Sequence, residues 1–64
     1  MIALQLIRRN QRLMLEHRKR RALLRSGRSH VYNGRIDITQ ATAEMQTRHI
    51  RELLKANRVL RQHC

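Results

Sequence analysis

Apolar residues recur at helical spacing in two long stretches of this chain, separated by a short segment of different texture. Residues 2 to 25 contain no Gly or Pro and are rich in Leu, Arg, Gln, Met and Ala, which all favour helix. With successive residues about 100° apart, Ile2, Ala3, Leu6, Ile7, Leu13, Met14 and Leu24 gather on one side, interrupted by Asn10, His17 and Arg21. Ser26-Gly27 follows, and a glycine just past a helix supplies the left-handed residue that closes its last carbonyls. The pattern therefore predicts a first helix over about 2–25.

The second stretch is more regular. Ala43, Gln46, Ile50, Leu53, Asn57, Leu60 and Cys64 alternate spacings of three and four, the a/d rhythm of a helix that packs along another helix. Asp37 with Gln40, or Thr39 alone, can satisfy the free amides at its start, which predicts a helix over about 39–62. The first stretch can be written in the same rhythm as Ala3, Leu6, Asn10, Leu13, His17, Arg20 and Leu24. Between the helices, about 26–38, β-branched and aromatic residues flank Asn33-Gly34. That segment is either a short β-hairpin over 30–37 or an ordered loop with a turn at its tip.

A chain folding back at Asn33-Gly34 brings residues whose numbers sum to about 67 to similar heights. Leu6 then nears Leu60, Leu13 nears Leu53, and Asn10 nears Asn57, where two carboxamides can bond and fix the register. The expected fold is all-α: a two-helix antiparallel hairpin forming one small domain over 1–64. Two helices cannot cover each other completely, so two hairpins are expected to pair into a four-helix bundle. Leu6, Leu13, Ile50, Leu53, Asn57 and Leu60 are the candidate residues of a dimer or partner interface.

Composition strengthens that expectation. A chain of 64 residues with Tyr32 as its single Phe, Trp or Tyr has little to bury, and small folds of this kind usually need a disulfide, a metal or oligomerisation. Cys64 alone cannot form an internal disulfide, and no Cys/His spacing resembles a zinc site, so self-association remains and no metal or cofactor is expected. The apolar Met1–Ile7 segment precedes the basic run, the reverse of a signal peptide, and no apolar run approaches the length that spans a bilayer. A cytoplasmic protein without a transmembrane segment is expected.

Charge changes the picture most. The net charge is +11, and residues 1–28 carry nine bases against Glu16 alone, so +8 of it lies there. Arg8, Arg12 and Lys19 share the side of the first helix opposite its apolar stripe, flanked by Arg9 and Arg20, and make a cationic ridge. In the second helix Glu44, Arg48, Glu52 and Lys55 are spaced to engage one another, leaving Arg51, Arg58 and Arg61 less occupied.

Such a ridge suits a polyanion, which releases condensed counterions as its phosphates are neutralised. Arg outnumbers Lys 13 to 2, and guanidinium groups fork onto phosphates or a guanine edge. The candidate nucleic-acid contacts are Arg8, Arg9, Arg12, Arg18, Lys19, Arg20, Arg21, Arg25 and Arg28. Arg8-Arg9-Asn10-Gln11-Arg12 has the texture of arginine-rich helices that enter structured RNA. Scarcity of stacking rings favours duplex or folded substrates over single strands, although Tyr32, beside Arg28, His30 and Arg35, is a candidate contact.

The sequence offers no convincing catalytic set: His17, His30, His49 and His63 are scattered, and no Ser or Cys has a base and an orienting group nearby. His17 and His49 approach the seams, where histidines are more often packing residues than metal ligands. The expected function is a small, basic, non-enzymatic regulator that binds duplex DNA or structured RNA. The rival is an inhibitor or adaptor of phage or prophage type, docking on an acidic surface of a larger protein through Leu4, Leu15 and Leu23. A basic amphipathic helix lying on anionic lipid is a weaker third reading.

Overall fold

The structure, a computed structural model, describes residues 2–63. Helix α1 (Ile2–Arg25) leads through a two-stranded antiparallel ribbon, β1 (Tyr32–Asn33) and β2 (Ile36–Asp37), into helix α2 (Thr39–Gln62). The two helices lie against each other along their length in a rod of 47 × 16 × 15 Å. Met1 and Cys64, the last expected seam position, lie outside the described residues.

Local chemistry explains each boundary. Gly27 adopts φ +78°, and beyond it the Arg28 amide donates to the Leu23 carbonyl (3.1 Å) while the Gly27 amide reaches Leu24 (3.4 Å). This crossed pair satisfies carbonyls that would otherwise end α1 unbonded. The connector forms the hairpin rather than a plain loop, with Tyr32 opposite Asp37 and Asn33 opposite Ile36. Its two central residues are Gly34, at φ +64°, and Arg35, so the turn sits one residue later than an Asn-Gly centre would place it. A glycine-first turn needs only one positive φ and leaves Asn33 in the ladder.

A ribbon this short needs support, and Thr39 supplies it. Its hydroxyl accepts the Val31 amide (3.0 Å) and donates to the Asp37 carboxylate, which also accepts the Thr39 amide (2.9 Å). The Ile38 amide donates to the Val31 carbonyl (2.9 Å), closing the base of the hairpin. Asp37 thus accepts the first amide of α2, but the capping position is Ile38, without a side-chain cap, and Asp37 bonds Thr39 rather than Gln40, so the expected reciprocal box does not form among the described residues. The Ile38 carbonyl instead takes the Thr42 amide and hydroxyl, at 2.9 and 2.8 Å.

The core is thin. Its buried apolar side chains are Ile7, Met14, Leu24, Ala43 and Ile50, and between them sit buried Gln46 and Asn57. The α2 seam follows the expected rhythm, with Leu53 and Leu60 half-buried at its margin. The α1 seam does not. It runs Ala3, Ile7, Asn10, Met14, His17, Arg21 and Leu24, whereas Leu6 keeps 36% of its surface exposed, Leu13 is half-buried and Arg20 is exposed. Both rhythms share Ala3, Asn10, His17 and Leu24 and differ by about 40° of rotation about the helix axis. The observed rotation sends Arg20 outward and lets Arg21 donate to the Thr47 hydroxyl (3.0 Å), a partner for an otherwise costly seam cation.

Polar bonds cross the seam at three heights. Asn10 Nδ2 donates to Asn57 Oδ1 at 2.9 Å, and Asn57 Nδ2 donates to the Ile7 carbonyl at 3.4 Å, so each polar atom of the side chain left 1% exposed has a partner. His17 Nδ1 donates to Gln46 Oε1 at 2.5 Å, since an amide oxygen can only accept, and Arg21 bonds Thr47.

Replacing one asparagine should therefore cost more than replacing both. Asn57→Ala strands the Asn10 amide and opens a small void, and should lower unfolding stability by about 1–3 kcal/mol in urea melts, whereas Asn10→Leu with Asn57→Leu should recover most of that loss. Equal losses in the two variants would show that the pair is incidental.

Bonds from the Thr39 hydroxyl and amide hold the Asp37 carboxyl below the ordinary aspartate range, with a smaller contribution from nearby His30. A lowered carboxyl stabilises the fold fully above the ordinary range and loses that contribution as pH falls through its own lower value. In carboxyl-detected NMR, Thr39→Val should move the Asp37 titration upward; an unmoved titration would remove Thr39 as its cause.

Candidate nucleic-acid interface

The cations are arranged by the seam. Because the α1 seam is centred near Asn10, His17 and Ala3, the direction opposite to it carries Arg8, Arg12 and Lys19, all exposed. About three turns of ridge run along the outer edge of the rod, with Gln5, Gln11 and Leu15 lining a shallow cleft beside Arg8 and Arg12. Among the described residues, none of the Arg or Lys heads stands within salt-bridge distance of a carboxylate; the one such contact is His49 Nδ1 to Glu52 Oε2, at 3.8 Å. The spacing of Glu44, Arg48, Glu52 and Lys55 thus does not produce the expected ion pairs. Exposed pairs gain little in water and cost side-chain entropy.

Two further contacts mark opposite sides of the rod. His17 and His49 stack across the seam with centroids 5.1 Å apart and planes 24° from parallel, which marks one side. Arg21 and Arg25 both reach Thr47, at 3.0 and 3.5 Å, which marks the other. Stepping along each helix from these markers assigns its flanking residues. The Thr47 side carries exposed Arg18 and Arg25 from α1 and Arg58 and Arg61 from α2, with exposed Leu4 and Leu54 among them. The histidine side carries Leu6 and Leu13 from α1, Leu53 and Leu60 from α2, and exposed Met45 and Ala56 near its margin.

The expected contact set therefore divides. Arg8, Arg12 and Lys19 form the outer ridge, Arg9 and Arg20 stand at the border of the apolar side, and Arg18 and Arg25 belong to the Thr47 side. Arg21 is half-buried with its guanidinium committed to Thr47, so it positions the helices. Arg28 lies beyond α1, beside Lys19 and Leu23 in a shallow cleft at the connector end. His30 and Tyr32 approach each other there, with ring centroids 6.3 Å apart, and Tyr32 remains exposed. The sequence pattern marks Arg58 and Arg61 as partly free of acids, but their alignment with Arg18 and Arg25 depends on how α2 is turned.

The expected interface set also divides. Ile50 and Asn57 are consumed by the hairpin's own seam, while Leu6, Leu13, Leu53 and Leu60 remain available on the histidine side. Leu4 and Leu15 are 40% and 51% exposed and border the ridge. Among the described residues no three His, Cys, Asp or Glu side chains converge as a metal site would require, and no helix is long and apolar enough to cross a membrane. Comparison with protein-family models, curated proteins and solved structures gives no match.

The division predicts that charge reversal has different consequences on the two sides of α1. Arg21→Glu should destabilise the hairpin by about 1–3 kcal/mol in thermal or urea unfolding, because it removes the donor to Thr47 and puts an anion in the seam. Arg12→Glu, made at an exposed ridge position, should change stability by no more than about 0.5 kcal/mol. Similar stabilities for the two variants would refute the separation of ridge from seam.

Proposed function

We propose that the chain is a small, non-enzymatic, dimeric regulator that binds nucleic acid, duplex DNA or structured RNA, and acts by occluding it. The observation carrying this reading is the uncompensated cationic surface: ridge Arg8, Arg12 and Lys19, continued by Arg18, Arg25, Arg58 and Arg61 around one side of the rod. Exposed guanidinium groups held on rigid helices, at the spacing of helical turns, suit a regular array of phosphates. A duplex presents such an array, and the near absence of stacking rings disfavours a splayed single strand.

Dimerisation completes the reading. A chain that buries five apolar side chains among the described residues is marginal alone, and Leu6, Leu13, Leu53 and Leu60 lie together on the side that is poor in cations. A second copy can cover that side without bringing the main cationic surfaces together. The inhibitor or adaptor reading is favoured by exposed Leu4 and Leu15 beside the ridge, which would serve as apolar anchors on an acidic partner.

Fluorescence anisotropy with a duplex DNA and an RNA hairpin, repeated across salt concentrations, tests the proposal. Each phosphate contact contributes about 0.9 to the slope of log affinity against log salt for duplex DNA, so joint reversal of Arg8, Arg12 and Lys19 to Glu should flatten the slope by about 3. Affinity at low salt should fall at least about a hundredfold. A variant binding as tightly as the parent chain would sink the ridge, and binding to neither probe would favour the anchor reading. Sedimentation should give twice the 7.7 kDa chain mass, and Leu13→Glu with Leu53→Glu should return it to one.

A further inference from the structure

We infer that the dimer bridges two separate duplexes rather than gripping one. The inference rests on the nucleic-acid reading above and adds to it an activity, the holding together of two polyanionic segments, that a single-surface binder lacks. It follows from the two-sidedness of the rod: the apolar side, marked by the His17–His49 stack, and the cationic side, marked by Thr47, face in opposite directions.

The occupant of the apolar side is a second copy, and charge selects how it sits. Two arrangements cover Leu6, Leu13, Leu53 and Leu60 with antiparallel helical neighbours: α1 against α1 of the other copy, or α1 against α2. The first sets the Arg9 and Arg20 borders of two copies face to face. The second sets each Arg9 and Arg20 border against the α2 border of the other copy, which holds Glu52 beside His49. Glu52 shares its own cleft with Arg48, Arg51, Lys55 and Arg58, so the second arrangement gains little attraction, but it removes the Arg-on-Arg opposition, and α1 lies on α2.

The two-fold axis of that arrangement runs parallel to the helices between the paired rods. It sends the Thr47 sides, with Arg18, Arg25, Arg58 and Arg61, to opposite faces of the four-helix bundle, and the two ridges to opposite edges. With helices packed about 10 Å apart, the cationic faces lie about 20 Å apart and point away from each other. A straight duplex can touch only one of them. Each dimer therefore presents two independent duplex sites, and occupying one leaves the other free.

The test is a two-duplex capture with the full chain. One duplex is fixed to beads by biotin, a second of unrelated sequence carries a fluorophore, and protein is titrated while one-duplex binding is followed in parallel by anisotropy. Bridging predicts label retained on the beads, rising and then falling as excess protein coats each duplex separately. The Leu13→Glu, Leu53→Glu variant, its helix content checked by circular dichroism, should lose at least about tenfold in capture while still binding a single duplex. Single-duplex binding without capture would overturn bridging and leave the nucleic-acid reading standing. Absence of binding to either duplex at low salt would overturn the reading beneath it. Undiminished capture by a variant that sediments as a monomer would overturn the back-to-back geometry.

Discussion

The bond between Asn10 and Asn57 sets the register on which every other placement in this chain depends. Asn57 is enclosed between two helices, and its amide and carbonyl are satisfied together only when Asn10 and the Ile7 carbonyl stand opposite. A slip of one heptad would face it with Ala3 or His17 and break the pair. The same slip would separate His17 from Gln46 and Arg21 from Thr47. Aliphatic side chains tolerate exchange with one another, whereas a buried polar atom without its partner costs about 1–3 kcal/mol. Register is therefore specified by the least apolar members of the seam.

That specification limits the core. Positions given to Asn10, His17, Arg21, Gln46 and Asn57 are positions where leucine or isoleucine would have buried more apolar surface. The rotation of α1 that accommodates them also turns Leu6 and Leu13 toward the margin, beside Leu53 and Leu60. Much of the apolar surface left over from the seam thus gathers on one side, while Leu4, Leu15 and Leu54 stay exposed elsewhere. The cations, which cannot be buried unpaired, collect on the outer edge and the opposite side. Segregation of the two surfaces is a consequence of how the hairpin closes, and the proposed dimer and the proposed bridging both draw on it.

Much of this was legible in the sequence, for reasons that can be stated residue by residue. Both helix spans follow from the absence of breakers, Gly27 and the Asp37 start, and the meeting of Asn10 with Asn57 follows from the symmetry of the fold-back. The rotation of α1 did not follow, because Leu6 and Ile7, and Leu13 and Met14, are adjacent apolar pairs either of which can fill a seam. The deciding residue, Thr47, lies on the other helix, out of reach of any periodicity count within α1. The opposition of Arg8, Arg12 and Lys19 to the seam survives this rotation because the ridge is broad. The exclusion of Arg21 from it, and the alignment of Arg58 and Arg61 with Arg18 and Arg25, do not, since each depends on the relative turn of two helices.

Assembly and polyanion binding are coupled on this reading. Pairing two chains of +11 concentrates +22 in one small bundle, and the mutual repulsion opposes the dimer even with the cationic sides turned outward. Phosphates on either face neutralise part of that charge and remove part of the opposition, so duplex strengthens the dimer and, by thermodynamic reciprocity, the dimer strengthens duplex binding. Salt screens the repulsion and weakens the phosphate contacts at once, with opposite effects on the two equilibria. The apolar side is therefore the means of assembly, and the cationic sides are where salt acts on it.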